Sequence, residues 1–260
     1  MIEPRYEVYA IKYAHHARRA AENFIGGDPH DGPMPLDYFV WLVRGQGREI
    51  VVDTGFSAAM AARRAREHLR CPTEGLRLLG VEAQSVKDVV ITHLHYDHVG
   101  NFDLFPAATL HLQDLEMRYA TGRYMGHDCF RGAFEAEDVV GMVRRVYQGR
   151  VRFHDGDAEL APGVSVHLIG GHTMGLQAVR VATRRGAVVL ASDASHLYAN
   201  MDEVRPFPIV WSVADMVEGY GRLRQLAESS AHIIPGHDPQ VLERYPAPRP
   251  DLQGIVARLD

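Results

Sequence analysis

The stretch that most constrains this chain is Thr92-His93-Leu94-His95-Tyr96-Asp97-His98-Val99-Gly100-Asn101. Three histidines and an aspartate fall within six positions, His93 to His98. The run Val89-Val90-Ile91 leads in and Gly100-Asn101 leads out. A short β-branched run followed by such a cluster predicts a buried strand that ends in a loop. The loop then holds several nitrogen and oxygen donors at one strand tip. Imidazole and carboxylate donors suit zinc or a similar borderline metal. A His-rich surface turn is the competing reading, and four ligand-type side chains in six positions weigh against it.

The same pattern recurs along the chain: an apolar strand, a small-residue turn, then a ligand-type side chain. It gives His93, His95, Asp97 and His98 first. His172 follows in Gly170-Gly171-His172, Asp193 in Ser192-Asp193-Ala194-Ser195-His196, and His237 in Pro235-Gly236-His237-Asp238. Glycines beside His172 and His237 let the backbone bend tightly, so that the imidazoles can converge. Two strand-end histidines, a third imidazole and a carboxylate satisfy one cation. Asp97, His98, His237 and the same carboxylate satisfy a second. Asp193 suits the bridging role, because a carboxylate has one oxygen for each cation. Two cations about 3.5–4 Å apart then share a water as well. Taken alone, each of His172, Asp193 and His237 reads as a structural polar residue. Their joint placement after apolar strands makes them ligand candidates.

The remaining elements read as follows. Tyr6–Tyr13 alternates and predicts a strand. His15–Pro35 is polar and Gly/Pro-rich at its end, and reads as a long ordered loop of the kind that covers sites. Leu36–Val43 and Arg48–Asp53 predict a hairpin around Gly45-Gln46-Gly47. Ser57 can cap an Ala/Arg-rich helix that runs to about Leu69. Gln113–Thr121 and Ala136–Tyr147 predict helices on either side of an irregular Tyr124–Gly132, so about 113–147 reads as a helical insertion beside the strand tips. Strands are expected at Val151–Phe153, Val164–Ile169, Ala178–Thr183, Ala187–Ala191 and His232–Ile234, and a long helix over Val213–Ser229. The Pro-rich tail from Arg244 reads as peripheral. No internal repeat or linker is evident, so residues 1–260 read as one domain.

Composition narrows the function classes. A net charge of −5 and no Lys/Arg block argue against a nucleic-acid partner. No apolar run approaches the roughly 20 residues of a membrane span. Cys71 and Cys129 are too few for a disulfide framework. The N-terminus, Met1 to Tyr6, has no basic region before an apolar core, so a cytoplasmic protein with reduced thiols is expected. Isolated histidines such as His30, His127 and His154 read as surface residues. Cys129 has no second cysteine at ligand spacing.

His93-Leu94-His95-Tyr96-Asp97-His98, with Asp53-Thr54-Gly55, Gly171-His172, Ser192-Asp193 and Pro235-Gly236-His237, resembles the metallo-β-lactamase superfamily. The motifs follow the family's order over about Leu36 to Asp238. The resemblance implies an α/β fold, an αββα sandwich of two mixed β-sheets flanked by helices, with two metals at one edge. Thr92–Asn101, Gly170–Gly175, Asp193–Ser195 and Gly236–Asp238 make the chain most similar to the N-acyl-homoserine lactonase group of quorum-quenching enzymes. One position departs from that group. The lactonases carry a tyrosine three residues after the bridging aspartate, where it hydrogen-bonds the substrate carbonyl. Here His196 stands at that place, with Tyr198 two residues on.

The chemistry expected is metal-dependent hydrolysis with two zinc ions per chain, or manganese, iron or cobalt. A water shared by the cations, with its pKa lowered to roughly 7, attacks the carbonyl of a lactone or related small ester. His196 or Tyr198 would stabilise the oxyanion, and Asp97 would carry the proton. Asp53 would orient a ligand imidazole. Phe24, Ile25, Met34, Leu36, Tyr38, Met117, Tyr124, Met125 and Phe130 could line an acyl cleft. The loop His15–Pro35 could dock on a partner subunit and give a homodimer. The alternative enzyme is a thioester hydrolase of the glyoxalase II type, which would want cations near the C-terminus to grip glutathione; the tail offers Arg244 and Arg249 but no Lys. A secreted β-lactamase, an RNA-processing nuclease and a non-catalytic metal-binding protein are each disfavoured.

Overall fold

Leu36–Val43 is apolar at every position except Asp37, and a strand that is apolar on both faces has to be covered on both. That requirement sets the architecture. In the computed structural model, which describes residues 5–260, this strand lies inside the larger of two stacked sheets. Met1–Pro4, part of the N-terminal stretch expected to lack a leader, lie outside the described residues.

The chain begins with β1 (Glu7–His16), β2 (Leu36–Gly45), β3 (Arg48–Val52), α1 (Ala58–Arg63), β4 (Glu67–His68), α2 (Pro72–Leu78) and β5 (Asp88–Val90). It continues through α3 (Tyr96–Val99), β6 (Thr109–Gln113), α4 (Asp114–Ala120), α5 (Asp128–Arg131), α6 (Ala136–Tyr147), β7 (Val151–His154), β8 (Ala158–Ala161) and β9 (Val164–Leu168). The last third holds β10 (Gln177–Thr183), β11 (Gly186–Ser192), α7 (Tyr198–Asp202), α8 (Val213–Leu226), β12 (Ile233–Pro235), α9 (Gln240–Arg244) and β13 (Val256–Arg258).

The larger sheet has the order β13-β1-β2-β3-β5-β6-β7, with β4 paired to β1. It is antiparallel through β3 and parallel from β3 to β7. The smaller sheet, β12-β11-β10-β9-β8, is antiparallel except for β11 and β12. Both are therefore mixed sheets, as expected. Strand alternation divides the core. Phe39, Trp41 and Val43 of β2 face the smaller sheet and meet Val179, Val181, Val188 and Leu190. Tyr38, Val40 and Leu42 face the other way, onto Leu76 of α2 and the aromatic ring of Phe56. Met216, Tyr220 and Leu223 of α8 cover the smaller sheet from outside. Each fully buried branched or aromatic side chain contributes about 1.5–3 kcal/mol.

Several elements differ from expectation. α1 begins at the Ser57 cap, whose hydroxyl accepts from Met60 N, but it stops at Arg63, not Leu69. Ala65 is left-handed at φ 51°, and Glu67–His68 turns to pair with β1. Arg64 meanwhile reaches Glu135 at 2.7 Å, and these tertiary contacts override the local helix propensity. β8 follows the Asp155–Asp157 turn as an unexpected short strand, α5 occupies part of the stretch read as irregular, and α7 starts at Tyr198. The tail is not peripheral. β13 forms the sheet edge beside β1, and Leu252, Val256, Ala257 and Leu259 are buried.

Leu259 is fully buried, and its N–H donates to Val8 O at 2.8 Å. Leu259→Ala should cost about 2–5 kcal/mol in chemical denaturation. A change within about 0.5 kcal/mol, the usual range for a surface site, would return the tail to the periphery.

Candidate metal centre

The carboxyl ends of β3, β5, β11 and β12 lie at one edge of the sandwich, and the loop after β9 joins them. They deliver Asp53, the His93–His98 segment, Asp193, His237 and His172 in turn. The motif is a loop only as far as His95; Tyr96–Val99 makes one helical turn, which points Asp97 and His98 inward. Two residues at these strand ends are held left-handed without being glycine, Asp53 at φ 61° and Ser192 at φ 49°. Such backbone costs about 1–3 kcal/mol each and persists only where the surroundings over-determine it. The two glycines act differently. Gly171 supplies a left-handed φ of 85°, and a Cβ there would strike the Met216 backbone at 2.5 Å. Gly236 supplies room: a Cβ would come within 2.6 Å of Asp193 Oδ1.

Four of the imidazoles have their Nδ1 engaged away from the centre. His93 Nδ1 lies 3.1 Å from Thr92 Oγ1, and His98 Nδ1 lies 2.7 Å from Asp53 Oδ2. His172 Nδ1 meets Ile209 O at 2.7 Å, and His237 Nδ1 meets Asp37 O at 3.0 Å. A carbonyl or carboxylate can only accept, so each of these last three Nδ1 atoms carries the proton. Thr92 Oγ1 donates to Asp53 Oδ2 at 2.8 Å, which leaves it to accept from His93. The four Nε2 atoms therefore turn lone pairs inward, the arrangement that orients metal ligands.

These lone pairs gather in two groups. His93 Nε2 and His172 Nε2 stand 3.0 and 2.9 Å from His95 Nδ1. One proton on His95 can serve only one of those contacts. On the other side, Asp97 Oδ2 lies 3.7 Å from His98 Nε2 and 3.8 Å from His237 Nε2. Asp193 stands between. Its Oδ2 is 3.2 Å from His172 Nε2, and its Oδ1 is 2.9 Å from His237 Nε2 and 3.4 Å from His98 Nε2. His98 Nε2 and Asp193 Oδ1 are buried with no hydrogen-bond partner. Buried atoms of this kind are normally satisfied, and converging lone pairs are satisfied by a cation. The residues present fit a divalent-metal site. His93/His95/His172 and Asp97/His98/His237 each bring three donor atoms within 4.8 Å of one another.

Protonation is consistent with this. Burial pushes His93 and His95 well below the ordinary imidazole range and His172 down to about 3, so they are neutral ligands. Burial also acts on His98, but Asp193, Asp97 and Asp53 outweigh it and hold that ring well above the ordinary range. A cation among the carboxylates takes the place of that proton.

The structure adds a residue that the sequence does not mark. Glu116, on α4, is fully buried. Its carboxylate accepts from Leu94 N at 2.9 Å, Thr173 Oγ1 at 2.7 Å and Gly175 N at 3.0 Å. It ties the His95 loop to the His172 loop. A lone glutamate after an apolar strand carries no signal of that role. Asp53 does orient His98, and Tyr13 Oη donates to Asp97 O at 2.8 Å.

His196 and Tyr198 part company. His196 is buried on the wall of a cleft of about 260 Å³ above the ligands, and its Nε2 lies 2.9 Å from Asp193 Oδ2. Its ring stacks on Phe207 with centroids 3.7 Å apart. Tyr198 does not line the cleft. It opens α7, packs into the inter-sheet core and lies under the Arg244 guanidinium at 3.7 Å. Helix formation at Tyr198 turns it away. Of the residues that could line an acyl cleft, most pack against the core, the commoner role of such a Met and aromatic scatter. Leu36 and Tyr38 line the metal cleft, but Ile25 is exposed and Phe24 lies under Arg205. Tyr124 and Phe130 pack on Trp211 instead. Met125, with Phe134, lines a second, apolar cavity of about 730 Å³ that meets the metal cleft at Gly132.

A two-sheet sandwich with a divided His/Asp ligand cluster at one edge defines a metal-centred protein of metallohydrolase build. A family model described as the metallo-beta-lactamase superfamily matches residues 34–237, and the chain belongs to that superfamily. An N-acyl homoserine lactonase AttM of Azorhizobium caulinodans is 31% identical over 67% of this chain and 66% of its own length. The AttM lactonase of Rhizobium radiobacter is 28% identical over 84% of this chain and 88% of its own. An N-acyl homoserine lactonase of Bacillus cereus is 26% identical over 51% of this chain and 48% of its own. The chain thus spans just under two thirds of the first of these relatives and about half of the last. Its fold matches a quorum-quenching N-acyl homoserine lactone lactonase with a TM-score of 0.75 at 21% identity, covering 91% of this chain and 93% of that one. It matches an N-acyl homoserine lactone hydrolase, solved with N-hexanoyl-L-homoserine at its catalytic metal center, with a TM-score of 0.77 at 19% identity, covering 95% and 98%.

Asp53→Asn keeps the shape but turns an amide towards donors. It should weaken the cation held through His98 by about 10–100-fold, with the three-imidazole group less affected. Chelator competition with metal analysis reads this, and equal loss of both cations would overturn it.

Proposed function

We propose that the chain is a dinuclear zinc hydrolase that opens a lactone ring, that of an N-acyl-homoserine lactone or a related small lactone or ester. The observation that carries this reading is the division of Asp193, with Oδ2 towards His172 and Oδ1 towards His237 and His98. A carboxylate split in this way suits two cations. The relatives named N-acyl homoserine lactonase support the lactone as the bond opened.

His93, His95 and His172 hold one cation in this reading. Asp97, His98 and His237 hold the other, and Asp193 serves both. When bound, divalent cations polarise a carbonyl and make hydroxide available near neutral pH. The chain's own residues do the rest. Asp97 carries the proton from the attacking water to the leaving alkoxide. Its backbone is fixed by Tyr13, so the carboxylate keeps its direction. His196, stacked on Phe207, meets the substrate carbonyl from the cleft wall. Burial of the ligands excludes bulk water from the reacting groups.

The same reading treats the chain as one domain with the helices of about 113–147 inserted. It sets the protein in the cytoplasm, supported by free Cys71 and Cys129, and allows a homodimer through the His15–Pro35 loop. A glutathione thioester gains no support, because Arg249 is paired with Asp251 at 3.2 Å and Arg244 covers Tyr198.

Metal analysis of the purified protein should find two cations per chain. Chelation or His98→Ala should lower lactone hydrolysis by at least about a hundred-fold. A panel of acyl lactones, simple esters and thioesters identifies the bond. Thioesters turning over faster than every lactone would replace this reading with the thioesterase one, and full activity without metal would end both.

A further inference from the structure

The metal cleft is lined by three guanidinium groups, those of Arg64, Arg66 and Arg18, the last 5.1 Å over the Phe207 ring. Arg64 is neutralised by Glu135 at 2.7 Å and lies 4.0 Å over the Tyr96 ring. The other two have no carboxylate within 4 Å among the described residues. Arg66 donates to Tyr96 Oη at 3.2 Å, to Arg64 O at 2.6 Å and towards His16 Nε2 at 3.1 Å. Arg18 donates to Asn23 Oδ1 at 2.8 Å and to Glu22 O at 2.6 Å. Every one of these acceptors is neutral, since burial and the two arginines push the His16 imidazole down to about 4.

Arg44, Arg77, Arg205 and Arg258 are all paired with carboxylates. Arg70 and Arg180 are half-buried and donate only to backbone carbonyls, but neither lines the metal cleft. Arg18 and Arg66 are likewise half-buried, where a charge without a directly bonded carboxylate is costly; Glu22 offsets part of that cost for Arg18 from a distance. Each guanidinium has five donors in a planar fork, and two or three of them are used. The fork matches a carboxylate, which would take the free donors in pairs. The cleft is small, about 260 Å³, and the larger apolar cavity of about 730 Å³ adjoins it at Gly132.

We propose that Arg66 and Arg18 form an anion subsite, and that the substrate is a small lactone or ester bearing a carboxylate away from the scissile bond. The proposal rests on the hydrolase reading and selects within it: charge, not a long acyl chain, anchors the substrate. Hydrolysis adds one water, breaks the acyl C–O bond and delivers a proton to the leaving oxygen. A lactone gives one hydroxy acid with two carboxylates, and an ester gives an acid and a separate alcohol.

The test uses the metal-loaded full chain and a matched pair of substrates, γ-butyrolactone-γ-carboxylate and the primary amide of the same ring. The wild type should prefer the carboxylate by about ten-fold or more in kcat/KM, and the preference should shrink as salt rises. Arg66→Gln and Arg18→Gln should each cut the carboxylate-to-amide ratio by roughly 10–100-fold, mainly through KM. Arg66→Lys, which keeps the charge but not the fork, should recover part of it. Thermal melts and metal content check that the variants are folded and loaded, and the ratio cancels any loss of active enzyme. A wild-type ratio at or below one, or a ratio that neither glutamine variant changes, overturns the anion subsite while leaving lactone hydrolysis intact. Failure to open either ring, or any acyl lactone or ester, overturns the hydrolase reading and this proposal with it.

Discussion

The centre depends on hydrogen bonds made on the far side of its ligands. Thr92 Oγ1, Asp53 Oδ2, Ile209 O and Asp37 O each engage an Nδ1, and so they decide that His93, His98, His172 and His237 present Nε2 lone pairs inward. Without those acceptors the rings could turn or exchange protons and satisfy one another. With them, more lone pairs point inward than the protons at hand can serve, and a cation satisfies them together. The four acceptors come from β2, the end of β3, the end of β5 and the segment before α8. The centre is thus a product of tertiary structure and not of the His93–His98 segment alone.

Glu116 works by the same logic at one remove. It touches no ligand side chain. It fixes Leu94 N, Thr173 Oγ1 and Gly175 N, and so sets the spacing of His95 and His172. The approach is so tight that a Cβ on Gly175 would fall 2.1 Å from Glu116 N. A buried carboxylate with three donors is stable in place, and it makes the loop after β9 rigid where a free loop would be mobile. The left-handed Asp53 and Ser192 belong to the same frame. Their strain is tolerable because Asp53 also accepts from Thr92 N at 2.7 Å and Ser192 Oγ meets Thr92 Oγ1 at 2.9 Å.

What was legible in the sequence was what has a short period or a short spacing. The apolar runs of β2, β5 and β11 lead to their ligands in order, and the seven expected ligand positions converge. The order of motifs along the chain also carried the fold. What was illegible depends on contacts distant in sequence. α1 stops early because Arg64 and Arg66 find partners at Glu135 and Tyr96. β13 reads as a Pro-rich tail because a three-residue edge strand has no pattern of its own; β1 supplies it. Tyr198 looked like a near neighbour of the missing tyrosine, but two residues past His196 is already the first residue of a helix. Sequence proximity to a ligand says little about which way a side chain turns.

The substitution at His196 and the arginines lining the cleft bear on each other. A tyrosine at that place would bring a hydroxyl donor; His196 instead brings an imidazole that lies against Asp193 Oδ2 and is flattened on Phe207. The hydroxyls that reach the cleft come from the wall where Tyr38 Oη and Tyr96 Oη stand 3.5 Å apart. Burial pushes Tyr96 up to about 12 and Tyr38 well above its ordinary value, so both remain neutral donors near neutral pH. Arg66 donates to Tyr96 and leaves that hydroxyl's proton free to point into the cleft. Phenolic and guanidinium donors are thus concentrated on the wall built by β2, α3 and the end of α1. It is the early stop of α1, a feature the local sequence argues against, that brings Arg64 and Arg66 to that wall.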